Sequence, residues 1–241
     1  MSEPNVFRFK QFDILQQNGA MKVNTDGILL GAWTGLAEKH TALDVGTGTG
    51  VIAIMMAQRK LDLMVTALEI DEAAYRDAKT NMKNSAFSHR LEALNISLQE
   101  FTSTNQGLFD LIISNPPFFS GGTLSLNENK ANVRHTIKLS HQDLLHAVKK
   151  LLHPSGHFDV ILPYIEGLRF IEMSAKYDLY PHHITEVKSK EHKNIERLLL
   201  RFGLHEVEVI QNDALIIYAS DAANSYTPAY VALTKAFYLF L

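Results

Sequence analysis

Leu43-Asp44-Val45-Gly46-Thr47-Gly48-Thr49-Gly50 closes a short apolar run that begins at Ala42 and leads into a helical pattern over Val51 to Gln58. A buried strand that runs into a glycine-rich turn and then a helix is the opening of a βαβ unit. The glycines let the backbone turn tightly and approach a ligand closely, at the carboxyl edge where open α/β sheets bind. Two ligand classes compete for such a turn, beside a third reading in which it holds none. A dinucleotide site has the spacing G-x-G-x-x-G and sets a helix N-terminus on a pyrophosphate; here glycines stand at 46, 48 and 50, with Asp44 two residues before the first. An acid in that place repels a pyrophosphate and suits a cationic ligand.

Outward from this turn the pattern repeats. Val65 to Ile70 reads as a second strand, followed by a helix over Glu72 to Asn84 in which Ala74, Ala78 and Met82 share one face. Leu91 to Ile96 is a weaker third strand, and Phe109 to Ser114 is a central strand buried on both faces. Ser140 and Asp143 give an N-cap signature for a helix carrying Leu144, Leu145, Val148, Leu151 and Leu152, which stops at Pro154 and Gly156. Phe158 to Leu162 is a fifth strand, and Ile165, Leu168, Ile171 and Ala175 mark the core face of the next helix. Ile184 to Lys188, Ile195 to Phe202, Glu206 to Ile210 and Leu215 to Ala219 then read as strands on short connections, so the sheet finishes antiparallel. Upstream, Val6 to Leu15 and Met21 to Val23 are strand-like, and Thr25-Asp26 caps an apolar helix over Gly27 to Ala37. The fold class expected is α/β, a Rossmann-like and mostly parallel sheet with an antiparallel C-terminal hairpin. Residues 1–40 form an N-terminal extension on a core domain of residues 41–241.

Composition sets the outer bounds. With 241 residues, 46% hydrophobic and 20% charged, the chain is of ordinary globular make-up and sized for one domain with an appended element. It has no Cys, which excludes disulfides, thiolate metal sites and a Cys nucleophile. The first ten residues carry Glu3, Arg8 and Lys10 with no apolar core, and no apolar run is long enough to span a bilayer, so a soluble cytoplasmic protein is expected. A net charge of −3 draws no polyanion globally, so nucleic acid would need a local patch.

Two further strand ends carry chemistry. Ala67-Leu68-Glu69-Ile70-Asp71 puts Glu69 where an acid accepts hydrogen bonds from both hydroxyls of a ribose, with Ile70 against an adenine face. The alternative for these acids is capping of the next helix. Ser114-Asn115-Pro116-Pro117-Phe118-Phe119 follows the fourth strand directly. Its prolines fix the backbone and remove two N–H donors, so the turn presents acceptors, the Asn115 side-chain oxygen and the Pro116 carbonyl. Such a pair fits one planar NH₂ group, and Phe118 supplies a face on which a ring stacks.

Asp44 to Gly50 together with Asn115 to Phe118 resembles the class I S-adenosylmethionine-dependent methyltransferases that modify an amino nitrogen. Met21-Lys22-Val23-Asn24-Thr25-Asp26-Gly27, continuing to Trp33, with Phe118-Phe119 and the tail Phe237-Tyr238-Leu239, is similar to the bacterial tRNA (adenine-N6) methyltransferases acting beside the anticodon of a valine tRNA. The resemblance implies that Asn115, Pro116, Pro117 and Phe118 are catalytic. It implies that Lys22, Thr25, Asp26, Asp44, Gly46, Thr47, Gly48, Gly50, Glu69, Ile70, Asn95, Ile96 and Asn115 bind S-adenosylmethionine. One departure is Asn95, where such enzymes place Asp against the adenine amine; its amide oxygen still accepts that bond. The mechanism implied is orientation of the target amine for in-line displacement, with no metal and no strong general base. Related enzymes turn the same motif on a release-factor glutamine or on guanine N2 of ribosomal RNA, and a catalytically silent S-adenosylmethionine-binding subunit is the non-enzyme alternative. Nothing in the sequence asks for an obligatory protein partner.

For the tRNA, Arg134 and His135 follow the Gly121-Gly122 loop, and Lys188, Lys190, Lys193, Arg197 and Arg201 face only Glu191 and Glu196, a local excess of +3. Solvated loop charges and an ordinary charged hairpin are the alternatives. His182 and His183 are adjacent on a strand, so they point to opposite faces, and no His pair has metalloprotease spacing.

Overall fold

The computed structural model describes residues 5–17, 22–105, 107–116 and 139–241. Expectations resting on Met21, Pro117, Phe118, Phe119, the Gly121-Gly122 loop, Arg134 and His135 lie outside the described residues.

The chain opens with a hairpin of β1 (Val6–Arg8) and β2 (Asp13–Leu15), then α1 (Thr25–Trp33). Next come β3 (Thr41–Val45), α2 (Val51–Arg59), β4 (Met64–Glu69), α3 (Glu72–Asn84), β5 (Leu91–Asn95), α4 (Leu98–Thr104) and β6 (Phe109–Ser114). After them follow α5 (His141–Leu151), β7 (Leu152–Pro163), α6 (Tyr164–Ser174), β8 (Tyr180–Lys188), β9 (Arg197–Gly203), β10 (Gln211–Ile216) and α7 (Pro228–Thr234). Eight strands form one sheet in the order β10-β8-β9-β7-β6-β3-β4-β5. It is parallel from β7 to β5; β9 inserts antiparallel to both β7 and β8, and β10 runs parallel to β8. The α/β class, the mainly parallel sheet and the antiparallel hairpin follow the pattern read from sequence.

Each face of the sheet has its own core. On one, Phe9, Ile14, Ile28 and Leu30 of the first forty residues pack with Ile54, Met55 and Met82 of α2 and α3. On the other, Leu144 and Val148 of α5 and Phe170 of α6 pack with Leu43, Ile112, Phe158 and Phe202 of the strands. The odd and even residues of a strand feed the two layers in turn, which is why Leu111, Ile112 and Ile113 of β6 are apolar without a break.

Several local expectations are corrected. The cap of α1 is Asn24, whose side chain accepts from Gly27 N at 2.8 Å, and the helix ends at Trp33 rather than Ala37. Strand β7 starts at Leu152, so Pro154 and Gly156 lie inside it instead of ending a helix. The register shifts at Phe109/Leu111 there, and a Cβ on Gly156 would fall 2.9 Å from the Asp110 carbonyl, a close approach that glycine permits. The buried face of α6 is Gly167, Phe170 and Ser174; Ile165 and Leu168 are exposed. Gly167 lets α6 settle onto Leu198 of β9, where a Cβ would come within 2.9 Å of Cδ1. Glu206 to Ile210 is irregular, with Val209 exposed, and the last strand is Gln211–Ile216, not Leu215 to Ala219. His182 bonds the His205 carbonyl, while His183 meets Asp213 and stacks near Trp33.

A charge sits in the middle of the sheet. Asp159 of β7 is fully buried and takes two bonds from Arg201 of β9, Nε to Oδ1 and Nη2 to Oδ2, both at 2.8 Å. Thr34 Oγ1 donates to it from the end of α1 at 2.5 Å, His157 Nε2 lies 3.4 Å away, and the Arg201 guanidinium sits 4.9 Å from the Trp33 ring centroid. Burial alone would raise the Asp159 carboxyl, but His157 and Arg201 hold it well below the usual carboxylate range. Removing one partner of such a pair leaves an uncompensated buried charge. Arg201→Met is therefore expected to cost about 3–5 kcal/mol in urea unfolding at neutral pH, and Arg201→Met with Asp159→Asn to cost less than the single change. Because the native carboxyl titrates lower than the unfolded one, the Asp159 contribution is complete above about pH 4 and is lost as pH falls below that.

Candidate active site

Strand register brings the sequence-predicted residues to one edge. Val45 pairs with Leu68 and with Ser114, and Glu69 pairs with Asn95, so β3, β4, β5 and β6 end side by side. Ser114 Oγ donates to the Val45 carbonyl at 2.9 Å, which fixes the start of the Asn115 turn against the start of the glycine turn.

The glycine turn is held from below. Gly46 N and Thr47 N both donate to the Leu68 carbonyl at 3.0 Å, and Gly50 N donates to Thr47 O at 2.9 Å. Gly46, Gly48 and Gly50 have φ of 71, 57 and 81°, the left-handed region that favours glycine. A Cβ on Gly46 or Gly48 would meet nothing within 4 Å, so the turn is a shallow cradle open to a ligand. Asp44 lies beneath it, fully buried, with Oδ2 accepting from Thr47 Oγ1 at 2.6 Å and, among the described residues, Oδ1 buried without a hydrogen-bond partner. Burial pushes this carboxyl up to about 7; the Thr47 hydroxyl opposes the rise and the nearby Glu69 charge adds to it.

Glu69 closes the turn from β4. Its Oε2 accepts from Gly48 N and its Oε1 from Asp71 N, each at 2.9 Å, and burial raises its pKa against those two bonds. Each oxygen keeps a second lone pair for a ligand hydroxyl. Ile70 beside it is 48% exposed, a large apolar side chain left facing outward at the edge. Asn95 uses its NH₂ on the Glu69 and Ile70 carbonyls, at 2.8 and 3.2 Å, which turns its Oδ1 away from them as a fixed acceptor; Ile96 is half-buried.

On the far side, Asn115 is half-buried and Pro116 buried, and among the described residues the Asn115 amide makes no hydrogen bond. A Cβ on Gly27 would lie 3.8 Å from both Asn115 Nδ2 and Val51 Cγ1, so the first turn of α1 rests between the Asn115 turn and the start of α2. Lys22 and Thr25 are exposed there, and Asp26 is held by Arg197 Nε at 2.8 Å.

The basic stretch is used differently from the expectation. Arg201 is committed to buried Asp159, Arg197 to Asp26 and Lys190 to Asp221. These three pairs cancel the local excess of positive charge. Lys188 and Lys193 remain, and Arg169 of α6, which the sequence reading did not name, joins them in a cleft beside β7.

Sequence reasoning also missed Asn81. It is 2% exposed, its Oδ1 accepts from Leu15 N at 2.8 Å, and its Nδ2 donates to the Leu15 and Thr49 carbonyls at 2.8 and 2.9 Å. It therefore ties the N-terminal hairpin to the glycine turn. The available signal was an amide next to Met82 in the apolar stripe of α3.

The family model of the methyltransferase small domain matches residues 3–163. This chain belongs to the methyltransferase small domain family. Its relatives include proteins named tRNA1(Val) (adenine(37)-N6)-methyltransferase from Flavobacterium psychrophilum, 40% identical over 97% of this chain and 99% of the relative. One from Pseudoalteromonas translucida is likewise 40% identical over 97% of this chain and 98% of its own. Among solved structures, a protein from Agrobacterium tumefaciens titled a predicted O-methyltransferase superposes with a TM-score of 0.67 at 17% identity, over 88% of this chain and 96% of that one. A methyltransferase from Pyrococcus furiosus gives 0.57 at 24%, over 81% and 90%. These two likenesses speak for the fold, and the family membership makes the chain a methyltransferase.

The edge fits the S-adenosylmethionine that the sequence resemblance implies. An orphaned carboxylate oxygen beneath an open glycine cradle suits a cationic ligand, and Glu69, Ile70 and Asn95 offer a diol acceptor, an apolar face and an amine acceptor in order. Among the described residues no group of three or more His, Asp or Glu is arranged to hold a metal ion. Because the free Asp44 carboxyl sits near 7, a cationic ligand selects its ionised form and expels a proton. Affinity for S-adenosylmethionine is expected to climb with pH up to about 7, by at most about tenfold per unit, and then level; Asp44→Asn should flatten the profile. Calorimetry in buffers of different ionisation enthalpy reads the released proton, and a native protein that releases none at about pH 6 would separate Asp44 from the ligand.

Proposed function

We propose that this methyltransferase transfers the methyl group of S-adenosylmethionine to the exocyclic N6 of an adenine in tRNA, at the position beside the anticodon of a valine tRNA. The observation that carries the reading is the Asn115-Pro116 segment, delivered by β6 next to the glycine cradle, with the Asn115 amide making no hydrogen bond among the described residues. The name shared by relatives 40% identical over 97% of the chain supports adenine N6 over a protein glutamine or guanine N2. A tRNA substrate implies a cytoplasmic setting, and no helix among the described residues is long and apolar enough to cross a membrane.

The lone pair of an adenine amine is conjugated into the ring, so the nitrogen is a poor nucleophile until it is oriented. The Asn115 side-chain oxygen and the Pro116 carbonyl accept its two hydrogens, turning the lone pair out of the ring plane toward the edge where the donor lies. S-adenosylmethionine supplies a methyl activated by its sulfonium charge. The N6 lone pair forms the new N–C bond, the C–S electrons stay with sulfur, and the extra proton on N6 leaves to water. Asp44, Glu69 and Asn95 hold the donor, while the two acceptors at Asn115 and Pro116 stabilise positive charge developing on the amine. The base must leave its stack to arrive, at a cost of a few kcal/mol, and Phe118 is the ring on which it stacks.

Asn115→Ala is expected to leave S-adenosylmethionine affinity within about twofold of native while lowering kcat about a hundredfold, since the contact is strongest in the transition state. Single-turnover transfer from labelled donor to valine tRNA measures it. A native rate in that variant would reduce the turn to scaffolding, and label on rRNA or release factor in place of tRNA would redirect the substrate.

A further inference from the structure

A cleft of about 730 Å³ opens at the sheet edge that carries Asn115. One wall is the end of β7 and the first turns of α6, with Tyr164, Glu166 and Arg169; the other is the β8–β9 connection, with Lys188, Lys193 and Glu196. Strand order places it next to the catalytic turn. Ser114, the residue before Asn115, pairs with Val160 of β7, and Pro163 pairs with Arg197 of β9, so the cleft begins within about two strand spacings, on the order of 10 Å, of the Asn115 turn.

Its charges are unlike those around it. Lys190, Arg197 and Arg201 of the same region are each engaged with an aspartate. Among the described residues, Arg169, Lys188 and Lys193 make no ion pair. Of the two carboxylates in the lining, Glu196 is occupied by the Ser189 hydroxyl. Among the described residues Glu166 keeps one oxygen buried without a hydrogen-bond partner; burial raises its carboxyl and the charge of Arg169 opposes the rise. Three cations against two carboxylates leave the lining with a net +1, in a chain whose net charge is −3, and that excess, on the Lys188 and Lys193 side, favours an anionic ligand there. Tyr164 adds an aromatic side chain at the lip, and Ile165 beside it is 55% exposed.

Resting on the tRNA reading above, we infer that this cleft is a second substrate subsite, in which Arg169, Lys188 and Lys193 hold the phosphates of the nucleotides flanking the target base. Pulling the base out of its stack leaves the backbone on either side to be gripped, and a cationic cleft one strand over from the reacting turn grips it without touching the reaction. The subsite acts on capture of the RNA, and the donor site and the Asn115 turn act on the chemistry. An acidic protein partner would fit the same charges but would leave tRNA binding indifferent to them.

Arg169→Gln with Lys193→Gln tests this. Both side chains are exposed, so the fold is retained. Loss of two phosphate contacts should lower the slope of log affinity for tRNA against log salt by about 1.4 to 1.8, read by fluorescence anisotropy of labelled tRNA. KM for tRNA should rise on the order of tenfold, with kcat at saturating tRNA and S-adenosylmethionine affinity within about twofold of native. Arg169→Lys alone should keep most of the slope, because the charge remains. Lys83→Gln with Lys176→Gln removes the same charge outside the cleft lining and should leave the slope native. A wild-type protein active on tRNA whose cleft variant keeps the native slope and KM would overturn the inference and leave the function standing. A wild-type protein that methylates no tRNA would overturn both.

Discussion

Asp159 carries a full negative charge into the middle of the sheet, and much of the substrate half of the molecule is arranged around it. A buried carboxylate is tolerated only if its charge is met and its oxygens are bonded. Arg201 does both from β9, Thr34 adds a bond from the end of α1, and Trp33 covers the guanidinium. The pair therefore fixes the antiparallel insertion of β9 beside β7 and anchors the C-terminal end of α1 at the same point. The other end of α1 is then carried to the edge where Asn24 caps it and Gly27 meets Asn115. A hydrophobic pair at 159 and 201 would bury as much area, yet it would tie α1 to neither strand.

How much of this was legible depends on whether a local signal and a tertiary demand agreed. The five parallel strands and the glycine turn were readable because strand burial, turn chemistry and helix periodicity all pointed the same way. The missed α4 and α7 were also written locally, as Ser97 bonding Glu100 N and as Thr227 followed by Pro228, cap signals outweighed by short length. The buried face of α6 was not readable. Its inward position is Gly167, chosen for close approach to Leu198, while the apolar Ile165 and Leu168 face outward beside the cleft. Periodicity rewards large apolar residues, so a helix seated on glycine is rotated in the reading.

Charge was the least legible property. Sequence proximity grouped five basic residues as one patch, but the partners of three of them, Asp221, Asp159 and Asp26, are 31, 42 and 171 positions away, and only the fold reveals them. The same holds in reverse for Arg169, isolated in sequence and brought to the cleft by α6. What turns the Asn95 oxygen away from the sheet was not visible in the sequence either: its NH₂ is spent on the carbonyls of Glu69 and Ile70.

The first residues of the chain reach both halves of the site. Through Asn81, β2 is bonded to the carbonyl of Thr49 inside the glycine turn; through Gly27, α1 touches Val51 at the head of α2 and Asn115 at the end of β6; through Asp26, it holds Arg197 at the margin of the cleft. The donor cradle, the amine-orienting turn and the cationic cleft belong to different strands that no single loop joins. Their spacing is set by a segment preceding the βαβ core. An enzyme that works by orientation needs its acceptors fixed relative to its donor site to within a fraction of an ångström. Here that rigidity comes from one buried amide at Asn81, the packing of Gly27 against Asn115, and the Asp26–Arg197 ion pair.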